Sequence, residues 1–347
     1  MKKLALFQVD LNIGGIQKSC VNFLNNIDLN KYEVDLYLVE KDNAYINDLN
    51  KYINIKYIKK LPYITKLIPI SILKLFYNPK IDKTYDIAID FNSYSNETAV
   101  STKKVNANKR MIWIHNDVEV KIKEEILYRI LHLVFKSKYK YFDSFVGVSD
   151  GALKSFIKVN KIKNKECLVI PNLVDTKEIK EKLKEETEID VDNSKINICS
   201  TGRIVHQKGF DLLVQEINKN KDILTNHHFY FIGGGSDEAK IKDLVKDNNL
   251  EDLITITGYL KNPYPLMNKM DAFILLSRYE GQGMVFLEAK ALDLDVIMPK
   301  HLEKYVDGEI IGTDDLRKSL LNINKSNHKF NDLTDYNKRI INKINSL

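Results

Sequence analysis

Two doubly wound, Rossmann-like α/β domains facing each other across a cleft are the fold that this sequence predicts. Three observations predict it. Short apolar runs alternate with longer amphipathic segments from end to end. The runs are hydrophobic on both faces, as strands of a parallel sheet covered by helices are. The rhythm breaks at Pro171 and Asn172 and then starts again. A chain of 347 residues, 44% of them hydrophobic, holds two domains of ordinary size more readily than one.

The first run, residues 4–9, is a strand that ends in a Gly14-Gly15 turn and feeds a helix over 16–26. Further strands follow at 34–39, 86–91, 110–114 and 144–148. A helix at 151–158 leads to a last strand at 167–170, which Pro171 stops. This defines a first domain, 1–170. A second domain, 171–333, repeats the alternation: strand 196–201, helix 209–218, strand 229–232, three glycines, helix 239–248, strands 254–257 and 270–276, helix 285–292 and strand 295–298. The tail, 334–347, reads as a polar helix.

Composition narrows the function. Lys and Arg exceed Asp and Glu by 53 to 47, and the net charge is +6. That mild excess suits an anionic substrate or a membrane surface better than sequence-specific nucleic-acid binding, although a Lys- and Asn-rich codon supply explains it equally well. Cys20, Cys167 and Cys199 are scattered, with no Cys-x-x-Cys pair, which argues against a disulfide framework or a zinc site and fits a cytoplasmic protein. The start, MKKLALFQVD, is interrupted by Gln8 and Asp10 and reads as a buried strand rather than a leader. No run approaches the length of a membrane span. The tract 51–83 interleaves basic, aromatic and aliphatic residues; it reads either as a surface for anionic lipid headgroups or as an ordinary strand and helix with solvated lysines.

The chemistry concentrates in two segments. In SRYEGQGMVFLEAKAL, Glu280 follows a strand directly, at the edge where open α/β sheets bind ligands. Gly281 and Gly283 ease the turn, and the amides of Gly281, Gln282, Gly283 and Met284 are expected to point outward at a helix start. Glu288 lies in that helix, where its carboxylate suits vicinal ribose hydroxyls. In STGRIVHQKGFDLLV, Arg203 and Lys208 lie on a loop at the same sheet edge, placed to offset a diphosphate's charge. Gly15 opens a helix where a backbone can approach a phosphate. His115, in WIHND, also follows a strand. Gly233-Gly234-Gly235 lacks the spacing of a dinucleotide site.

Together with VSDGALKSF (148–156), IPNLVD (170–175) and ITGYL (256–260), these motifs resemble glycosyltransferase family 4. The resemblance implies a GT-B fold and retaining transfer from a nucleotide diphosphate sugar, with uracil as the expected base. It implies that Arg203 and Lys208 hold the diphosphate, that Glu288 binds the ribose, and that the loop at Tyr259 cups the base. Glu280 contacts the donor sugar near the Gly281–Met284 amides, and His115 touches the transferred sugar. Gly15 approaches the phosphates from the first domain, and the tail helix packs back on that domain. The expected acceptor is a lipid-linked or cell-surface glycan of a bacterial polysaccharide. The enzyme is expected at the inner face of the cell membrane. Gln282 stands where many members carry an apolar residue, which leaves the donor sugar open.

Asp190, Asp192, Asp293 and Asp295 spell two D-x-D motifs, but one lies in a polar linker and the other in a helix-to-strand turn. No metal and no cofactor is expected. Three alternatives stand beside this reading: a GT-B epimerase or hydrolase, a protein-glycosylating transferase, and a non-catalytic partner of an active enzyme.

Overall fold

The computed structural model describes residues 1–62, 65, 68–306, 308–326 and 329–347. The chain forms two compact units, Met1–Leu173 with Asp335–Leu347, and Val174–Thr334.

The first unit holds β1 (Lys2–Gln8), α1 (Gly15–Asn26), β2 (Tyr32–Leu38), β3 (Asn54–Tyr57), α2 (Ile70–Phe76), β4 (Thr84–Asp90), α3 (Asn96–Lys104), β5 (Asn106–Ile114), α4 (Val118–Glu124), α5 (Ile126–Phe135), β6 (Ser144–Gly147), α6 (Asp150–Asn160) and β7 (Glu166–Val169). Its sheet runs β3-β2-β1-β4-β5-β6-β7, with every pairing parallel. Central strands are apolar because helices cover both faces: Leu4, Ala5, Leu6 and Phe7 are fully buried. Phe91 stacks on Trp113 at 5.3 Å and Phe23 meets that indole edge-on at 5.4 Å, which locks α1 to β4 and β5. Ser149, in the VSDGALKSF motif, caps α6 by accepting from the Ala152 amide at 3.1 Å.

The second unit holds α7 (Thr176–Lys182), β8 (Ile196–Thr201), α8 (Phe210–Lys219), β9 (His227–Ile232), α9 (Glu238–Asp247), β10 (Ile254–Gly258), α10 (Tyr264–Met267), β11 (Ala272–Ile274), α11 (Met284–Ala291), β12 (Asp295–Ile297) and α12 (Leu316–Leu321). Its parallel sheet runs β10-β9-β8-β11-β12. The tail helix α13 (Thr334–Ile344) lies almost wholly in the first unit, where Lys2 and the Tyr32 hydroxyl donate to the Leu347 carbonyl at 2.7 and 2.8 Å.

Two sequence expectations shift. The run 270–276 keeps only Ala272–Ile274 in the ladder; Leu275 and Leu276 stay buried but leave it to begin the site loop. The tract 51–83 divides. Its first part holds the edge strand β3, whose Lys56 lies on Asp35 at 2.7 Å, and the loop after it, whose Lys60 lies on Glu40 at 2.5 Å. Its second part is α2. Tyr63, Ile64, Lys66 and Leu67 lie outside the described residues.

Asp35 is fully buried inside β2 and collects Asn54 at 3.1 Å, Lys56 at 2.7 Å, Lys83 at 2.8 Å and the Tyr85 hydroxyl. Burial pushes its carboxyl up, but the bonds from Lys56, Lys83, Tyr85 and Asn54 outweigh that and hold it at about 2. Stability from this group is therefore fully present above the unfolded carboxylate range near 4 and is lost as pH falls through about 2. Asp35→Ala strands the Lys56 ammonium, leaves Lys83 with Glu33 alone, and is expected to lower unfolding free energy by about 2 kcal/mol at pH 7. Denaturant titration checks this; an unchanged midpoint would show the cluster to be ornamental.

Candidate functional site

The second unit's sheet ends its strands in loops that are stitched to one another. Gly202 donates from its amide to Ile232 at 3.0 Å, Ile204 to Gly234 at 2.9 Å, and Gly233 to Gly258 at 2.9 Å. A Cβ on Gly233 would stand 2.0 Å from the Gly202 carbonyl oxygen, and one on Gly235 2.3 Å from that of Ile204. The glycine triplet thus lets the β9 loop lie backbone-to-backbone on the Arg203 loop. Gly234 brings Tyr259 alongside. Arg203 and Tyr259 are both exposed at this edge, and no side-chain partner of Arg203 occurs among the described residues.

A second set of bonds joins the loop after β8 to the loop after β11. Gly209 has φ +68°, and its missing Cβ leaves room for the Leu276 carbonyl oxygen, which a Cβ would meet at 2.1 Å. The Arg278 amide donates to Gln207 at 2.9 Å, and the Gln207 side chain donates to the Tyr279 carbonyl at 3.1 Å. The Arg278 guanidinium forks onto Asp211 at 2.8 and 2.7 Å and holds that carboxyl below its usual range.

These bonds set Lys208 against Glu280. The ammonium lies 2.8 and 3.1 Å from the two carboxylate oxygens, and the Ser277 hydroxyl donates to Oε1 at 2.6 Å. Glu280 is buried, with 4% of its surface exposed. Two residues expected on one sheet edge are therefore one ion pair. The sequence showed their loops but not this contact, which joins positions 72 apart in the chain.

The expected row of outward amides is not fully present. Gly283 donates to the Tyr305 carbonyl at 3.3 Å and Met284 to Gln282 at 2.8 Å, because the chain turns tightly into α11 and packs on the Lys300–Tyr305 3-10 segment. Gly281, Gln282 and Gly283 are buried, while Met284 and Glu288 are half-buried on α11. Of the D-x-D aspartates, Asp192 accepts from Ser194 at 2.9 and 2.6 Å, and Asp293 accepts from the Lys329 amide at 2.9 Å.

Gly15 and His115 belong to the first unit. Gly15 is exposed at the start of α1, and a Cβ there would meet nothing within 4 Å. His115 follows β5 and is buried; its Nε2 lies 2.6 Å from the Phe91 carbonyl, to which it donates, leaving Nδ1 as the acceptor. Burial pushes its pKa down to about 4, so the imidazole is neutral at pH 7. The folded state resists a proton that the unfolded chain accepts, so stability is lost as pH falls from about 6.5 to about 4, by about 3 kcal/mol in all. An NMR titration is expected to place the His115 inflection near pH 4; one above 6 would put the ring in water. Sequence reasoning missed the buried groups beside it. Asp90 ends β4 fully buried, and Lys138, equally buried, donates to the Ser93 carbonyl. Lys138 is pushed down to about 8 by burial, against the opposing pull of Asp90.

With this geometry in view, the likeness to known proteins can be read. Residues 179–302 match the family of glycosyl transferases group 1. Over 96% of this chain and 89% of its own length, the N-acetylgalactosamine-N,N'-diacetylbacillosaminyl-diphospho-undecaprenol 4-alpha-N-acetylgalactosaminyltransferase of Campylobacter jejuni is 24% identical. An uncharacterized glycosyltransferase of Methanocaldococcus jannaschii is 26% identical over 55% of this chain, which spans about half, 48%, of that relative. Anabaena HepE, solved with UDP-glucose, superposes over 100% of both chains with a TM-score of 0.66 at 14% identity. These likenesses establish the fold as that of GT-B glycosyltransferases, two parallel-sheet α/β units, and the match to glycosyl transferases group 1 lies within the second.

Proposed function

We propose that this chain is a retaining glycosyltransferase that moves a hexose or N-acetylhexosamine from a UDP-sugar to a lipid-linked or cell-surface glycan in bacterial polysaccharide synthesis. The observation that carries the reading is the Lys208–Glu280 pair, buried at the strand-end edge where Arg203 stands exposed. A diphosphate arriving at Arg203 and Lys208 gives the ammonium a second anionic partner, and Glu280 is then available to accept from donor-sugar hydroxyls. As the bond from C1 to the diphosphate oxygen breaks, both cations offset the growing charge on the leaving UDP. The acceptor oxygen bonds to C1 from the same face, and its proton passes to the departing phosphate oxygen. Glu288 binds the ribose, Tyr259 borders the base, and Gln282 with the Gly281, Gly283 and Met284 backbone shapes the sugar pocket. Gly15 leaves open space for phosphate at α1, and His115, neutral, orients rather than transfers protons. No metal is required.

UDP is favoured because HepE was solved with UDP-glucose, and a lipid-linked acceptor because the Campylobacter relative's name specifies a diphospho-undecaprenol substrate. The test is UDP release from a panel of UDP-sugars, with and without undecaprenyl-diphosphate glycans. Acceptor-dependent release with the α-anomer retained is expected. Release indifferent to every acceptor would assign the chain to hydrolysis or epimerisation instead, and transfer to peptide would assign it to protein glycosylation.

A further inference from the structure

The first unit carries an apolar and cationic surface that the chemistry above does not use. On α5, Ile126, Leu127, Ile130 and Leu133 are 66%, 70%, 58% and 62% exposed, while Tyr128 and His132 face inward. On α2, Ile72, Leu75 and Phe76 point outward, while Ile70 and Leu73 are buried. The two helices cover one core cluster and both pack on the 3-10 segment Lys136–Tyr141 between them. Large apolar side chains exposed on two helices that share one supporting segment mark a contact with something else.

Its charge identifies the partner. Segments Ile70–Phe76 and Ile126–Tyr141 hold neither Asp nor Glu, and besides the buried Lys138 they carry Lys74, Arg129, Lys136 and Lys140. Glu124 and Glu125 precede α5, and Glu125 faces Lys121 at 4.0 Å. At the rim, the ammoniums of Lys74, Lys103 and Lys140 lie 5.2, 5.4 and 5.2 Å from the Tyr141 ring, and among the described residues none of the three has a carboxylate partner. Three like charges around one ring repel, and an anion between them relieves it.

We infer that α2, α5 and Lys136–Tyr141 form a docking surface for an anionic lipid bilayer, with the Lys74–Lys103–Lys140 cluster around Tyr141 seating a headgroup phosphate. At 10 residues α5 is about 15 Å long, half the hydrocarbon thickness, so it lies in the interface rather than crossing. A second copy of this chain would bring the same positive face and be repelled. The inference rests on the proposed lipid-linked acceptor only for its purpose. It keeps α2 from the tract 51–83, sets aside that tract's first part, where Lys56 and Lys60 are already paired, and adds α5 and Lys136–Tyr141.

The test is co-sedimentation of the full chain, without donor or acceptor, with phosphatidylcholine vesicles and with vesicles containing phosphatidylglycerol. Binding to the anionic vesicles is expected to exceed the neutral case by about ten-fold or more. The Phe76→Glu/Leu127→Glu/Ile130→Glu variant is expected to lose it, these side chains being exposed and dispensable to the core. The Lys74→Ala/Lys103→Ala/Lys140→Ala variant is expected to lose the preference for anionic lipid. Glu280→Gln should bind vesicles normally, which separates this inference from the proposed chemistry. Equal binding by both surface variants and the parent, or no binding at all, overturns it. So does a dimer in sedimentation velocity that the apolar variant dissociates without any change in vesicle binding.

Discussion

Lys208→Met is expected to lower kcat/KM for sugar transfer by about 10³-fold, near 4 kcal/mol of transition-state stabilisation. The loss has two origins that stability and kinetics separate. In the proposed chemistry Lys208 is the ammonium that meets the diphosphate, and it is also the counter-ion of a carboxylate with 4% exposure. Removing it leaves Glu280 with the 2.6 Å bond from Ser277 as the remaining contact among those that held it with Lys208. An unpaired buried carboxylate is costly, so the single variant is also expected to unfold more easily, by about 3 kcal/mol. Glu280→Gln removes the charge but keeps shape and hydrogen-bonding capacity. The double variant Lys208→Met/Glu280→Gln should therefore recover most of the stability that Lys208→Met loses. It should recover none of the activity, because the cation for the leaving group is still missing. A double variant with near-parental transfer would make the pair a structural brace and move the donor site elsewhere. Arg203→Met, which breaks no ion pair among the described residues, should leave stability unchanged and raise KM for the donor.

The sequence made the sheets legible and the contacts between their loops illegible, for physical reasons. Strands such as β1 and β9 announce themselves because both faces are buried, so their apolar runs have no polar interruption. Helix α3 left no such trace. Its sequence, NETAVSTKK, has no apolar stripe, yet Asn96, Thr98, Ser101 and Thr102 are buried. It is held by polar bonds: the Ser95 cap, Thr102 to the Thr98 carbonyl at 2.8 Å, and Asn96 to the Thr65 carbonyl at 2.9 Å. Helix α5 misleads in the other direction, since its near-continuous apolar sequence suggests a core helix whereas four of its aliphatic chains face outward. Strand-end position was enough to pick out Glu280, Lys208, Arg203 and His115. Nothing local could reveal that Lys208 reaches Glu280, that the Gly283 and Met284 amides bond within the protein, or that the His115 ring is held by the Phe91 carbonyl. Each of those depends on how separate strands end relative to one another.

Gly209→Ala should be among the most damaging small substitutions in the second unit, with Gly233→Ala. Two costs add. The residue sits at φ +68°, where a Cβ costs about 1 kcal/mol, and that Cβ would stand 2.1 Å from the Leu276 carbonyl oxygen. The oxygen belongs to backbone, so relief requires α8 and the end of β11 to move apart rather than a side chain to turn away. We expect about 3 kcal/mol of lost stability, read by calorimetry as a fall of roughly 6–12 °C in the second unit's transition. Gly15→Ala is the matched control, because a Cβ there meets nothing and α1 gains a better helix former; its melting temperature should hold or rise slightly. The same displacement at Gly209 pulls Lys208, its neighbour in sequence, away from a Glu280 anchored by Ser277 on the other loop. Transfer should therefore fall in Gly209→Ala even at temperatures where the unit remains folded, and adding saturating UDP should restore part of the melting temperature by binding the folded state alone. A Gly209→Ala protein that melts and turns over like its parent would mean that the two loops are free to separate, and the Lys208–Glu280 geometry would then not be what positions the donor.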